Sequence, residues 1–207
     1  MTTELPPAAS DRKKDRWKQK AMAFVTRSHR HLWGKNNEAP LAYLFERGLK
    51  NDFAKQMLLG WNKFGQNRPG ENWGLDKDLF LPAGIVVPYI IDQTLVAVCI
   101  HPFEHPGPTT LLPGSRTSSM VIGSDTDPAV IVPNLLDGLY LAQETALPIR
   151  LVISLSAEAE PAEPERYILL SNPKGSEPET PPDDPAGFEK RFYQTKEEML
   201  TLIDGIF

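Results

Sequence analysis

Pro128-Ala-Val-Ile-Val-Pro-Asn-Leu-Leu-Asp-Gly-Leu-Tyr-Leu-Ala-Gln-Glu144 is the segment of this chain that is most informative about its fold. It opens with a short apolar run rich in β-branched residues, at positions 129–132, which favours a buried strand. Pro133-Asn134 breaks the run. Apolar side chains then recur at helical spacing over residues 135–144, with Asp137 among them. The pattern predicts a strand, a tight turn and a helix.

The turn of this unit lacks the acid that phosphate chemistry would need there. A nucleotidyl-transfer enzyme is expected to carry a Glu or Asp at the end of such a strand, where the carboxylate holds a divalent ion or moves a proton. In this chain proline and asparagine take that place, and Asp137 follows in the helix. The segment therefore has the layout of a catalytic strand, turn and helix without a carboxylate at the strand end.

The remainder of the C-terminal half continues the alternation of strands and helices. Apolar runs predict strands at residues 149–154 and 166–171. A final helix is expected to start near Thr195, which with Glu198 forms a capping box, and its apolar residues could dock on the sheet. Such alternation implies a parallel sheet that keeps its ligand chemistry at the carboxyl ends of the strands.

The N-terminal half has a different character. Helical spacing, Pro40 in a first turn and Gly48 at a C-cap predict helices over residues 11–32, 40–47 and 50–59. Residues 60–81 are rich in Gly, Asn and Pro and suggest an ordered loop pinned by aromatic side chains, namely Trp61, Phe64, Trp73 and Phe80. Two β-rich runs around Asp92-Gln93 then predict a hairpin, and short strands are expected at 109–112 and 119–122.

These elements define the expected fold class and domains. We predict an α/β (α+β) protein in which a disordered tail, residues 1–10, precedes a helical lobe and its aromatic-pinned loop, residues 11–80. The hairpin then leads into an α/β domain, residues 81–207. That domain includes an acidic, Pro-rich loop at 172–187 and the C-terminal helix.

The composition excludes several classes of protein. Of the 207 residues, 41% are hydrophobic and 24% are charged, which is ordinary for a globular protein. No apolar run approaches the roughly 18 residues of a membrane span, and the N-terminus lacks the apolar core of a signal peptide, so we expect a cytoplasmic location without membrane contact. The lone Cys99 cannot form an internal disulfide, and its apolar neighbours predict a buried strand position.

Charge is divided unevenly along the chain. Residues 1–70 contain 14 Lys and Arg against 6 Asp and Glu, whereas residues 71–207 contain 8 against 21. The basic part could contact the phosphates of DNA or an acidic partner, while a solvated helix face explains the same pattern equally well. The candidate nucleic-acid-binding residues are Lys13, Lys14, Arg16, Lys18, Lys20 and Arg47.

Several short motifs, taken in order, carry a resemblance to a known family. The first motifs are Ala42-Tyr-Leu-Phe-Glu-Arg-Gly-Leu49 with Leu58-Leu-Gly-Trp61, and Leu81-Pro-Ala-Gly-Ile-Val-Val-Pro88. Pro113-Gly-Ser115 and the stretch up to Gly138 follow in the same order. Over roughly residues 15–175 the chain resembles the catalytic core of bacterial DnaG-type primases, particularly the primase-like proteins of phages and mobile elements. The resemblance implies a Toprim-like, mostly parallel sheet flanked by helices.

The resemblance also implies where catalytic acids should stand. Toprim enzymes use a Glu after the first strand and an Asp-x-Asp motif after a later one, as acid or base and as ligands of a divalent metal. Matched position by position, the Glu falls on Pro133, whose side chain neither binds a metal nor transfers a proton. The family's next Asp corresponds to Asp137.

The Asp-x-Asp motif has two possible placements. The expected one is Ser171-Asn172-Pro173, at the end of the predicted strand, which carries no charge. The other is Pro182-Asp-Asp-Pro-Ala-Gly187, where Asp184, beside Asp183, fits the second half of the motif after a long Pro-rich loop. Neither placement restores a full metal-binding set.

Three hypotheses follow from these residues. In the first, the protein has lost catalysis, needs no cofactor and serves as a nucleic-acid-binding or protein-binding module in DNA replication or mobile-element metabolism. In the second, it is an active primase or nuclease-type enzyme in which Asp137, Asp183 and Asp184 hold Mg²⁺ or Mn²⁺. In the third, it is a protein-interaction scaffold that does not contact nucleic acid.

Overall fold

The computed structural model describes residues 9–104, 107–123, 129–145, 149–155, 167–171 and 188–204. The chain has a mixed α/β architecture with five helices and three sheets among these residues. Contacts divide it into two compact units, the first made of residues 1–43 and 54–117, and the second of residues 44–53 and 118–207. No helix in the described ranges is both long and apolar enough to cross a membrane.

The first unit is built on a long amphipathic helix, α1 (Ala9–Leu32). Its buried face, which the 3.6-residue spacing predicted, carries Trp17, Ala21, Phe24 and Val25. These side chains belong to one apolar cluster together with residues of the following strands. The helix begins at Ala9, so the last two residues of the predicted tail are helical, while residues 1–8 lie outside the described part.

The next two helices end in left-handed turns. Helix α2 (Glu38–Glu46) stops before Gly48, whose φ is +74°, as the predicted C-cap requires. Helix α3 (Asn51–Gln56) is shorter than the predicted 50–59. It ends because Leu58 takes a φ of +53° and the amide of Leu59 donates to the carbonyl of Ala54, which closes the helix with a C-terminal cap that lacks glycine.

The segment predicted as an ordered loop contains short regular elements. They are β1 (Gly60–Asn62), β2 (Gln66–Arg68), a 3₁₀ turn (Gly70–Trp73) and β3 (Leu79–Leu81). Trp61 and Trp73 are buried as expected, but Phe64 and Phe80 are exposed, so the prediction that all four aromatics pin the loop was wrong. On β3 the reason is the period of two, because Leu79 and Leu81 take the buried face and turn Phe80 outward.

The predicted hairpin is confirmed in this first unit. Strands β4 (Gly84–Ile91) and β5 (Thr94–His101) pair antiparallel, and β1 and β6 (Thr110–Leu111) complete a sheet of order β1-β4-β5-β6. Cys99 is buried on β5, as predicted, and burial raises the pKa of its thiol. Side chains of the hairpin belong to the same apolar cluster as those of α1, whereas the sequence prediction placed the hairpin in the domain of residues 81–207. The boundaries of independently folding domains stay a prediction.

The second unit contains a five-stranded mixed sheet. Its strands are β7 (Ser119–Gly123), β8 (Ala129–Val132), β9 (Arg150–Ser154), β10 (Tyr167–Ser171) and β11 (Phe188–Phe192). The order is β11-β10-β8-β9-β7. Strand β8 pairs in parallel with β10 and β9, and β10 pairs in parallel with β11, while β7 lies antiparallel at the edge beside β9.

Two helices accompany this sheet. Helix α4 (Leu135–Glu144) follows β8 as predicted and packs closely on β9. Gly138 allows this close approach, since a Cβ at that position would lie only 2.7 Å from Ile153. Helix α5 (Lys196–Asp204) begins with the predicted capping box. The amide of Glu198 donates to Thr195 Oγ1 at 3.1 Å, and the amide of Thr195 donates to Glu198 Oε2 at 3.3 Å.

Strand β11 has no counterpart in the sequence prediction. Its sequence, Phe-Glu-Lys-Arg-Phe, contains three consecutive charged residues and no apolar run. Parallel pairing with β10, from Tyr167 opposite Phe188 to Ser171 opposite Phe192, makes it an edge strand. Charged residues are common on edge strands, which is why the apolar pattern of a central strand is missing here.

The turn of the β4–β5 hairpin provides a test of this fold. Asp92 and Gln93 have φ angles of +46° and +61°, a left-handed conformation that costs a residue with a Cβ about 1 kcal/mol or more. We expect Gln93→Gly to raise the free energy of unfolding by about 1 kcal/mol in urea titrations. Gln93→Ala keeps the Cβ and should leave the free energy of unfolding unchanged. Equal stabilities of the glycine and alanine variants would contradict the expectation.

Candidate functional site

The carboxyl end of β8 is closed by a helix cap. Pro133 follows the last residue of the strand, and Asn134 is the N-cap of α4. The side-chain oxygen of Asn134 accepts hydrogen bonds from the amides of Leu136, at 3.0 Å, and Asp137, at 3.2 Å. The two residues that stand in place of an acid therefore terminate the strand and begin the helix.

Asp137 is buried just beyond this cap and is paired with a residue far along the chain. Its side chain is 7% exposed, and its Oδ2 accepts a hydrogen bond of 2.8 Å from the hydroxyl of Tyr193. Tyr193 directly follows β11 and is also buried. Burial, together with the negative charge of Asp137, raises the pKa of Tyr193, so the phenol stays protonated and able to donate.

A lysine from the start of α5 lies beside this pair. Lys196 Nζ is 4.4 Å from the centre of the Tyr140 ring and donates a hydrogen bond to the backbone carbonyl of Arg47. Partial burial lowers the pKa of Lys196, Asp137 opposes that shift, and the positive charge of Arg47 adds to it. The carboxylate of Asp137 thus has the cation of Lys196 in its surroundings, and Lys196 in turn lies near Arg47 and Glu197.

The segment of residues 44–53 is attached to α4 in the same unit. Gln143 donates through Nε2 to the carbonyl of Gly48 at 3.0 Å, and its Oε1 accepts from the amide of Lys50 at 2.6 Å. Lys50 Nζ also lies 2.7 Å from Glu144 Oε1. Hydrogen bonds from Lys50 and Gln143 lower the pKa of Glu144. These contacts hold Arg47, and with it the acceptor of Lys196, near the N-terminal half of α5.

The structure places only one of the predicted metal ligands. Asp137 lies at the carboxyl end of β8, while Asp183 and Asp184 are outside the described residues. Strand β10 ends at Ser171, as the first placement of the Asp-x-Asp motif requires, but Asn172 and Pro173 are also outside them. Among the residues that are described, no three His, Cys, Asp or Glu side chains cluster closely enough to hold a metal ion.

The predicted nucleic-acid-binding residues lie mainly on α1, where some have protein partners. Lys13 Nζ is 2.6 Å from Asp76, and Arg16 donates to the carbonyl of Glu71 at 3.0 Å. Lys14 Nζ lies 3.6 Å from Asp11. Lys18 is half-buried and Lys20 is exposed on the same helix, whereas Arg47 is an exposed residue of the second unit.

Two residues of this site were not found from the sequence. Tyr193 follows a strand that carries no apolar signal, so nothing in its neighbourhood indicates that it reaches Asp137. Lys196 follows the capping Thr195, so its place at a helix start was predictable. Its proximity to Tyr140 and Arg47 was not, because both partners are distant in the chain.

Comparisons with known proteins indicate the fold. No protein-family model matches the chain, and no curated protein does. The solved structure of the DnaG catalytic core is similar with a TM-score of 0.55 and 14% identity, over 75% of this chain and 62% of that chain. The DnaG primase catalytic domain bound to ssDNA has a TM-score of 0.58 and 12% identity, over 79% and 65%.

These similarities show a DnaG-like fold for this chain and no more, because the identities are low. The chain spans less than two thirds of the length of either of these structures. The predicted resemblance to DnaG-type cores is thereby confirmed at the level of the fold. The mobile-element branch stays a prediction.

The Tyr193–Asp137 hydrogen bond can be tested by removing one hydroxyl. Tyr193→Phe leaves the buried carboxylate without its donor, which should lower the free energy of unfolding by about 1–3 kcal/mol. Urea or thermal unfolding measures the change. Tyr140→Phe, which keeps the ring that faces Lys196, is the control and should change stability little. If the two variants were equally stable, Asp137 would not depend on Tyr193.

Proposed function

We propose that this chain is a primase-like Toprim protein that has lost metal-dependent catalysis and serves as a nucleic-acid-binding module in DNA replication or mobile-element metabolism. The DnaG-like fold supports the primase-like part of this proposal. The Toprim assignment is supported by the parallel pairing of β8 with both β9 and β10, and by the strand-turn-helix unit β8–α4.

The observation that carries the loss of catalysis is the chemistry at the end of β8. The position that the resemblance gives to the catalytic Glu holds Pro133, and the neighbouring Asn134 uses its side-chain oxygen to cap α4. Asp137, which remains, is buried and accepts a hydrogen bond from Tyr193. Proline can neither transfer a proton nor bind a metal through its side chain, so Pro133 cannot take the role of the acid expected at this position.

The described residues at this edge do not fit the divalent metal that Toprim enzymes use. Mg²⁺ is held by carboxylates, phosphates and water in a site of about six oxygens, and it usually needs at least one or two free carboxylates. Here Asp137 is paired with the phenol of Tyr193, and the cation of Lys196 lies nearby. A positive side chain next to a single carboxylate opposes the binding of a further cation.

Binding of nucleic acid is supported by the charge of the first unit. Residues 1–43 and 54–117 contain 14 Lys and Arg against 9 Asp and Glu, an excess that favours phosphate. One of the similar solved structures is a primase domain bound to ssDNA. Exposed Lys20 and half-buried Lys18 are the cluster members on α1 that we expect to contact phosphates.

Metal titration tests the loss of catalysis. We expect calorimetric titration with Mg²⁺ or Mn²⁺ to show no millimolar or tighter binding that depends on Asp137. Asp137→Asn is the test variant, and Asp92→Asn, in the exposed hairpin turn, is the control for loss of one surface charge. Binding that Asp137→Asn abolishes and Asp92→Asn preserves would instead support the enzyme hypothesis, in which Asp137 acts with Asp183 and Asp184.

Fluorescence anisotropy with labelled single-stranded DNA tests the nucleic-acid partner. We expect binding at low salt that weakens as salt rises, with a slope of log K against log salt of about −0.7 for each neutralised phosphate. Lys18→Gln combined with Lys20→Gln should make the slope shallower by about 1.4, because two phosphate contacts are lost. Lys50→Gln, whose cation is paired with Glu144 in the second unit, is the control. Absence of salt-sensitive binding by the wild type would leave the scaffold hypothesis.

A further inference from the structure

Two exposed phenylalanines mark a surface of the first unit that has no role in its core. Phe64 is 67% exposed and Phe80 is 55% exposed, although the tryptophans of the same segment, Trp61 and Trp73, are only 7% and 6% exposed. The segment thus buries its tryptophans and presents its phenylalanines to solvent. Isolated exposed apolar residues are common, but two exposed aromatic rings within one short segment call for an explanation of their exposure.

Phe80 lies on β3 of the ribbon formed by β2 and β3, and Phe64 lies in the bend just before β2. Phe80 is paired with Asn67 across the antiparallel ribbon, and both are exposed, so they share the outward face. The Phe80 ring lies over Gly65, where a Cβ would approach its Cζ to 2.8 Å. Because Gly65 has no side chain, the Phe80 ring can lie against its backbone, and Gly65 is the residue that follows Phe64.

The side chain of Lys63 lies beside the ring of Phe64. Lys63 Nζ is 5.3 Å from the centre of the Phe64 ring and 5.7 Å from the centre of the Trp61 ring. The side chain of Lys63 is exposed, so its ammonium is within reach of a ligand that contacts Phe64. The surface therefore combines aromatic faces with a positive charge at their margin. We call these three residues, Lys63, Phe64 and Phe80, the aromatic ribbon surface.

We propose that the aromatic ribbon surface binds unpaired bases of a single-stranded nucleic acid, with the rings of Phe64 and Phe80 stacking on bases and Lys63 contacting a phosphate. This inference rests on the proposed function and adds the place where the strand is held. Proteins that bind single strands combine aromatic side chains, on which bases stack, with cations along the backbone path.

Charge favours this ligand over a protein partner. The first unit as a whole has 14 Lys and Arg against 9 Asp and Glu, and this net positive charge attracts a polyanion. The excess comes from residues 1–43, with 9 against 4, whereas residues 54–117 contain 5 of each, so Lys63 supplies the positive charge at the surface itself. The acids nearest in sequence to β3 are partly engaged, because Asp76 pairs with Lys13 and Asp78 accepts from the amide of Gly70. Duplex DNA fits less well, since its bases are already stacked on each other.

Anisotropy of a labelled oligothymidylate with the full chain tests the inference. Phe64→Ala combined with Phe80→Ala should raise Kd by about tenfold or more, because each stacked base contributes appreciably to binding. Phe64→Tyr combined with Phe80→Tyr keeps both rings and should stay within about twofold of the wild type. Lys63→Gln should make the salt slope shallower by about 0.7, which the alanine variant should not do.

The control is Phe45→Ala, which removes a phenylalanine of α2 that is 79% exposed and lies outside the aromatic ribbon surface. Unfolding midpoints of all variants should match, because the exchanged rings are exposed. Wild-type binding that is indifferent to both alanines would overturn the inference and leave the proposed function standing. If the wild type failed to bind any single strand, the proposed function itself would fall. Altered self-association of the alanine variant with unchanged DNA affinity would assign the surface to a protein interface and overturn the inference.

Discussion

The hydrogen bond from Tyr193 to Asp137 is the interaction on which the candidate site depends. A buried carboxylate is costly unless donors compensate for the water that it loses, and this one receives the hydroxyl of a residue 56 positions away. The bond joins the start of α4 to the end of β11, and Lys196, at the start of α5, lies near both. The start of α4 therefore meets the β11–α5 segment, more than 50 residues further along the chain, around one charge at the carboxyl end of the sheet.

The hydrogen bond gives this carboxylate a structural role, because it ties α4 to the residue after β11. Oδ2 of Asp137 accepts from a protein donor, so one of its acceptor positions is no longer open to a substrate or an ion. Pro133 stands where the resemblance expects the strand-end acid, and both features support the proposed loss of catalysis. The DnaG-like fold, shown by similarity to solved structures, does not by itself bring the chemistry of those proteins, because function resides in the groups of the site.

The first unit presents the complementary case, in which a packed core leaves functional groups at the surface. Helix α1 buries Trp17, Phe24 and their neighbours against the β4–β5 hairpin and the 3₁₀ turn, where Phe24 and Trp73 meet edge to face at 6.2 Å. Leu79 and Leu81 of β3 belong to that core, whereas Phe80 and, before β2, Phe64 stay exposed. The proposed loss of catalysis in the second unit and the proposed binding surface of the first unit are compatible, since they rest on different residues and different physical requirements.

The sequence by itself determined the elements whose signals are local. The β8–turn–α4 unit, the hairpin turn at Asp92-Gln93 and the capping box of α5 were all predictable, because short-range sterics, caps and hydrophobic periodicity specify them. Which residues come into contact depends on long-range packing. Strand β11 exists through pairing with β10, and Tyr193 and Lys196 reach the site through chain reversals that no spacing reveals. Phe80 faces outward because Leu79 and Leu81, on the other face of β3, pack into the core. A local pattern records what a segment prefers, and long-range packing selects its partners.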